Sequence, residues 1–211
     1  MKRITKITLL ALGVVFLASL AGVAPSFRPL AEFQATAQAA GDPHTLIFDV
    51  ACDCRMGSPA FFGGNRGDAW IVSGKIFPAG TLPAGSASND PTLPVGGVAP
   101  IGDWSCRGQN SLPFPDSVAA AYSASPFGFN TQYFILNNET ALTVEGYAFL
   151  ENGVPVERLS VTGGIGVFSG ASGYVKEGPI QEGVFGTNAT GCPNFRAKFT
   201  FQPGSMRGAS Q

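Results

Sequence analysis

The sequence predicts an all-β domain, an antiparallel sandwich or closed barrel, and three observations carry that expectation. Short strand-like runs recur eight times with Gly, Pro and Asn turn signals between them. No amphipathic helix of useful length follows residue 41, and five glycines punctuate an otherwise alternating stretch around residue 165. About 172 residues remain after a leader, enough for one domain with a sizeable core and too few for two ordinary ones.

The leader comes first. Lys2, Arg3 and Lys6 precede an apolar run from Ile7 to about Ala24, and Ala37-Gln38-Ala39 offers an A-x-A cleavage site before Ala40. Residues 1–39 therefore read as a secretory signal peptide, with residues 40–211 as the exported domain, secreted, periplasmic or at the cell surface. The apolar run is about long enough to span a bilayer, so an uncleaved single-helix anchor is the alternative, and only then would the membrane be a partner. Removing residues 1–39 takes away Lys2, Arg3, Lys6 and Arg28 against Glu32 alone. That leaves 9 basic and 13 acidic residues, a formal charge of −4, which argues against a nucleic-acid partner.

The eight runs fall at about residues 45–52, 69–77, 103–106, 130–136, 141–150, 156–162, 171–176 and 195–201. The last alternates most clearly, with Phe195, Ala197, Phe199 and Phe201 on one face and Arg196, Lys198, Thr200 and Gln202 on the other. Asn137-Asn138 joins the fourth and fifth runs as a hairpin turn. Two long connections, 78–102 and 107–129, are rich in proline and glycine. Connections of that length in a compact domain tend to be lids or flaps, against the plainer reading of stiff surface loops.

Export makes the four cysteines disulfide candidates. Cys52 and Cys54 are next-but-one neighbours and do not reach one another, so each is expected to bond to one of Cys106 and Cys192, in an order the sequence leaves open. One histidine and a lone C-x-C fit no familiar zinc spacing, so no metal site is expected. That histidine, His44, stands beside the presumed new N-terminus, which leaves a Ser-His-Asp or Cys-His mechanism without a base. Arg66 and Asp68 read as a rim ion pair ahead of the second run. Glu145 and Tyr147 share a strand face as a candidate acid and hydrogen-bond donor, or as two residues of a wet face.

The glycine run itself, Ser160 to Lys176 with Gly163, Gly164, Gly166, Gly170 and Gly173, reads as a tight corner between strands. A nucleotide-binding loop is the rival reading, but no helical pattern follows Gly173. The pattern V-T-G-G-x-G-x-F-x-G-x-x-G closely resembles a segment of the allene oxide cyclase and dirigent proteins. Gly57-Ser58-Pro59-Ala60-Phe61, Gly67-Asp68, Lys75-Ile76-Phe77 and Leu142-Thr143-Val144-Glu145-Gly146-Tyr147 resemble the same family in the same order.

The resemblance implies an eight-stranded antiparallel calycin-like barrel with an apolar cavity, usually assembled as a homotrimer and needing no cofactor. Such barrels act by holding a small hydrophobic molecule in one conformation. It implies a cofactor-free isomerase or cyclase, or a dirigent-like guide of coupling. The alternatives are a lipid or phenolic carrier and a disulfide-stapled structural barrel. Residue by residue, Asp49 lies nearest the family's first-strand glutamate and Ala51 nearest its asparagine. Asp49 is therefore expected inside the barrel with Thr45, Ile47 and Ala51, while Leu46, Phe48 and Val50 pack outward. Cys106 lies near the family's third-strand cysteine.

Overall fold

The computed structural model describes residues 45–57, 65–110, 128–151 and 154–205. The signal segment, His44, Ser58 to Phe61 and most of the second long connection lie outside the described residues. Eight strands form: β1 (Thr45–Asp53), β2 (Ala69–Pro78), β3 (Gly102–Asn110), β4 (Gly128–Asn137), β5 (Thr140–Glu151), β6 (Val154–Ile165), β7 (Gly173–Pro179) and β8 (Asn194–Phe201). Each pairs antiparallel with its sequence neighbours, and β8 returns to β1 to close the barrel. The chain is an all-β, eight-stranded antiparallel barrel. β3 runs to Asn110, four residues past the alternating run, because Gly108 and Asn110 continue the pairing with β2 and β4.

Closure removes the sheet edges, and period-2 alternation decides what lies inside. Phe48 of β1, Phe134 of β4 and Phe199 of β8 meet with ring centroids 5.0–6.3 Å apart. Contact between β4 and its distant partners β1 and β8 is possible only through the lumen. Register then places Leu46, Val50 and Cys52 of β1 on the same inner face. Leu142, Val175 and Phe201 join them, and the end where β2, β4 and β6 finish is filled by side chains.

The expectation for Asp49 is thereby reversed. Asp49 faces outward with Ala51 and its cross-strand partners Phe77 and Arg196. It is nonetheless fully buried, because the 79–101 connection lies over this side of β1. Asp49 Oδ2 accepts from the backbone N–H groups of Gly80 (2.7 Å) and Leu82 (3.2 Å), and Oδ1 accepts from Arg196 Nε at 2.8 Å. Leu82 packs on Ala51 and Phe77. The first long connection is a strap on the barrel wall, not a lid. Midway along it, Arg55 spans Asp53 and Asp90, and this pairing holds the Asp90 carboxyl well below the usual carboxylate range.

The glycine run makes the expected corner. β6 carries Gly163 and Gly164 to Ile165, a 3-10 turn covers Gly166–Phe168, and β7 opens at Gly173 after Gly170. Gly166 has φ +65°, and a Cβ there would lie 2.2 Å from the Glu139 carbonyl oxygen, so the corner closes on the β4–β5 turn only without a side chain.

Of the two bridges expected, one forms: Cys54–Cys192, with Cα atoms 5.3 Å apart, tying the end of β1 to the β7–β8 connection. Cys52 and Cys106 are buried thiols. The reason lies in the sheet order. β2 separates β1 from β3, so their Cα atoms stand about 9–10 Å apart, beyond disulfide reach of about 7 Å.

Asp49→Ala is expected to lower stability by about 2 kcal/mol in urea titration, through two orphaned strap N–H groups and a partly exposed Arg196 left alone. It should also expose residues 79–101 to limited proteolysis. An unchanged midpoint would show that the strap does not depend on this carboxylate.

Candidate functional site

The inner-face parity that carries Phe48 and Phe199 also carries two acids. Glu157 shares its face of β6 with Leu159 and Val161, and Glu177 shares its face of β7 with Val175. The two are direct cross-strand partners, so their Cβ atoms stand about 5 Å apart. Both project into the barrel at the end where the odd-numbered strands finish. Arg158 and Lys176, the residues beside them in sequence, form the next pair on the outer face. The basic charge is on the outside of the wall and the acid on the inside.

One amide organises the pair. Gln132 Nε2 donates to Glu157 Oε2 (2.8 Å) and to Glu177 Oε2 (2.9 Å), which brings the two oxygens close together. Its own Oε1 accepts from Trp104 Nε1 at 2.7 Å, which fixes the amide's orientation. Asn130 Nδ2 gives Glu157 Oε2 a second donor at 2.9 Å. Glu177 Oε1 is buried and has no hydrogen-bond partner among the described residues.

A cavity of about 60 Å³ adjoins the pair, room for a few waters. The buried Trp70, Trp104, Cys52 and Cys106 line it together with the more exposed Phe185 and Phe195. Phe185 is 37% exposed, so the cavity reaches the surface beside the β7–β8 connection. Trp104 and Phe195 meet edge to face at 5.2 Å. Trp70 lies over Gly108, where a Cβ would stand 2.3 Å from Trp70 Cζ2, so the indole has its place only because β3 has glycine there.

Burial sets the protonation. Loss of water raises the Glu157 pKa against the pull of its two amide donors. Glu177 is raised well above the ordinary range by burial and then by the neighbouring Glu157 charge. The thiols follow the same physics. Burial, then the Asp53 charge, pushes Cys52 up, and burial, then Glu157 and Glu177, pushes Cys106 up. Neither sulfur is a thiolate at neutral pH, so neither is an activated nucleophile. Cys52 Sγ also lies 3.0 Å from Cys192 Sγ, packed against the disulfide.

The residues the sequence singled out are elsewhere. Asp49 is under the strap. Glu145 and Tyr147 are on the outer wall, Tyr147 52% exposed and edge-to-face with Phe129, and Glu145 accepting from Thr131 Oγ1. Of the residues read beforehand, the site uses only Cys52 and Cys106, as thiols. Glu157 and Glu177 were missed, although their parity with Leu159, Val161 and Val175 marks them as carboxyls on an apolar face.

No family model matches the chain, and no curated protein does. Solved structures similar to it include a pyocyanin demethylase at 15% identity, covering 75% of this chain and 99% of that one with a TM-score of 0.45. A pterocarpan synthase dirigent protein is 12% identical over 74% and 82% of the two chains, TM-score 0.44. A Diels Alderase from Streptomyces koyangensis is 13% identical over 87% and 85%, TM-score 0.41. At these values no residue's role passes from them to this chain.

Two outcomes check the site. Alkylation of the unfolded, unreduced protein should find two free thiols, at Cys52 and Cys106, with a Cys54–Cys192 peptide pair; none free would restore the second bridge. For the carboxyls, folded pKa values raised above the unfolded value of about 4.3 mean stability is fully present below that pH and falls as pH rises through the raised values. Glu177→Gln should flatten this decline in melting temperature between pH 5 and neutrality, and a parallel decline in the variant would remove the pair as its cause.

Proposed function

We propose that this barrel holds a small hydrophobic molecule at its carboxyl-bearing end and directs a proton shift or ring closure on it, as a cofactor-free isomerase or cyclase. The carrying observation is the Gln132-bridged pair of Glu157 and Glu177 beside a cavity walled by two indoles. Two close carboxyls in a site of low polarity titrate together and retain one proton where exposed glutamates have lost theirs. One carboxyl can give a proton to one ligand atom while the other takes one from another, so the step is proton-neutral and needs no external acid, base or redox partner. The cavity takes the reacting edge of a ligand, and Phe185, Pro179 and Pro193 offer the apolar rim for the rest.

The sequence likeness to allene oxide cyclases and dirigent proteins agrees in class, with the acid moved from β1 to β6 and β7. Export and trimeric assembly belong to the same proposal, and a non-catalytic lipid or phenolic carrier is the alternative to it. The competing structural reading draws on the phenylalanine-filled opposite end and the small cavity. Against it stands Glu177 Oε1, since buried polar atoms in purely structural cores are nearly always paired.

The test uses the two tryptophans of the wall. Titration with 2-phenylethanol or coniferyl alcohol should change their emission saturably, and Val72→Trp, which fills the cavity, should abolish the change. Native mass spectrometry of the secreted protein should find a bound small molecule or take up these alcohols. No saturable change and no adduct would leave the filled structural barrel as the reading.

A further inference from the structure

We infer that the cavity selects ligands carrying a protonated amine, with an ammonium head group directed at the Glu157–Glu177 pair and an apolar body at the rim. This rests on the ligand-binding reading above and deepens it by naming the charge of the ligand.

The first observation is an unfilled acceptor. Gln132 and Asn130 direct their donors to the Oε2 atoms of the two glutamates, and Glu177 Oε1, on a side chain 4% exposed overall, accepts from nothing among the described residues. A buried carboxyl oxygen without a donor costs about 1–3 kcal/mol, more when charged, so the pair at the cavity wall holds more acceptors than donors.

The second is the absence of a counter-charge. No lysine, arginine or histidine is among the described residues lining the cavity. Arg158 and Lys176 are on the outer face, and Arg107 lies over the outward-facing Tyr133 ring at 5.4 Å. An anionic ligand would meet two acids and no partner. A neutral one would leave the pair uncompensated, while a cation supplies the missing charge and the missing donor together.

The third is the wall. Trp70 and Trp104 share the cavity wall with the acids, and indole faces attract ammonium groups where water is excluded. A cavity of about 60 Å³ suits a compact primary ammonium better than a bulkier trimethylated one. The head group is therefore a primary amine, and the body is an aromatic or alkyl chain resting on Phe185 and Phe195. Binding such a cation draws the pair toward ionisation and releases protons to solvent, so affinity increases with pH until the amine itself deprotonates.

The experiment compares 2-phenylethylammonium with 2-phenylethanol, which share size and shape, by calorimetry on the full folded protein across pH 5 to 8. The ammonium should bind about tenfold or more tighter at pH 7, the gain of one charge-assisted hydrogen bond. Its advantage should widen as pH rises, with protons released in two buffers of different ionisation enthalpy. Glu177→Gln should bring the affinities of the two ligands to within about twofold of one another. If that variant does not fold, the wild-type pH dependence decides alone. Equal affinity for the two ligands in the wild type, or preference for the alcohol, would overturn the inference and leave the hydrophobic-ligand reading standing. Binding of neither would overturn both.

Discussion

Everything in this molecule depends on β1 being buried on both faces. All its residues but Ile47 are buried, with an inner face in the lumen and an outer face under the strap. A strand closing a barrel normally has one wet side. Here Asp49 makes the second burial workable, because a carboxylate with three donors can leave water where an unpaired one could not. The same strand then supplies Cys52 to the cavity and Cys54 to the disulfide, one on each side of the point where β1 gives way to a 3-10 turn. Fold closure, strap and site wall are consequences of one strand's placement.

The lumen is divided accordingly. Toward the end where the even strands finish, stacked and edge-to-face rings fill it, with Phe168, Phe199 and Phe201 continuing the cluster. Toward the other end the inner-face positions become Gln132, Asn130, Glu157 and Glu177. A polar network of this kind is stable only if its members satisfy one another, and Gln132 does most of that by accepting from Trp104 and donating to both acids. The buried atom it does not satisfy, Glu177 Oε1, belongs to a residue that lines the cavity. A core selected for stability alone would place an apolar side chain there, so the exception points to something that binds.

The sequence made the barrel legible because alternation survives wherever one face is wet. β8, with Lys198 exposed between buried Ala197 and Phe199, is the clear case, and the glycine corner was readable since a positive-φ turn against a carbonyl admits nothing else. β1 was misread for the converse reason. In TLIFDVACD neither face is wet, so period-2 hydrophobicity gives no sign of which side is in, and the family position of Asp49 was followed where Leu46, Phe48 and Val50 already described an inner face. The cysteine pairing failed on sheet order, which composition does not reveal: the strand between Cys52 and Cys106 separates them whatever the redox state. Glu157 and Glu177 were hidden by their neighbours. Val156-Glu157-Arg158 and Lys176-Glu177 read as ordinary charged surface until register shows that only the basic members are outside.

The two thiols complete the chemical argument. Acids and sulfurs share one cavity wall, and in a wetter site a thiolate would be the stronger nucleophile. Here the carboxyls themselves prevent it, since each unit of negative charge beside Cys106 makes a second one harder to form, and burial acts the same way on Cys52. The low-polarity wall that keeps a proton on the glutamate pair also keeps protons on the sulfurs. Under the proposed reading, what the site offers a ligand is therefore a carboxyl proton, and the group that draws that proton out most readily is a cation.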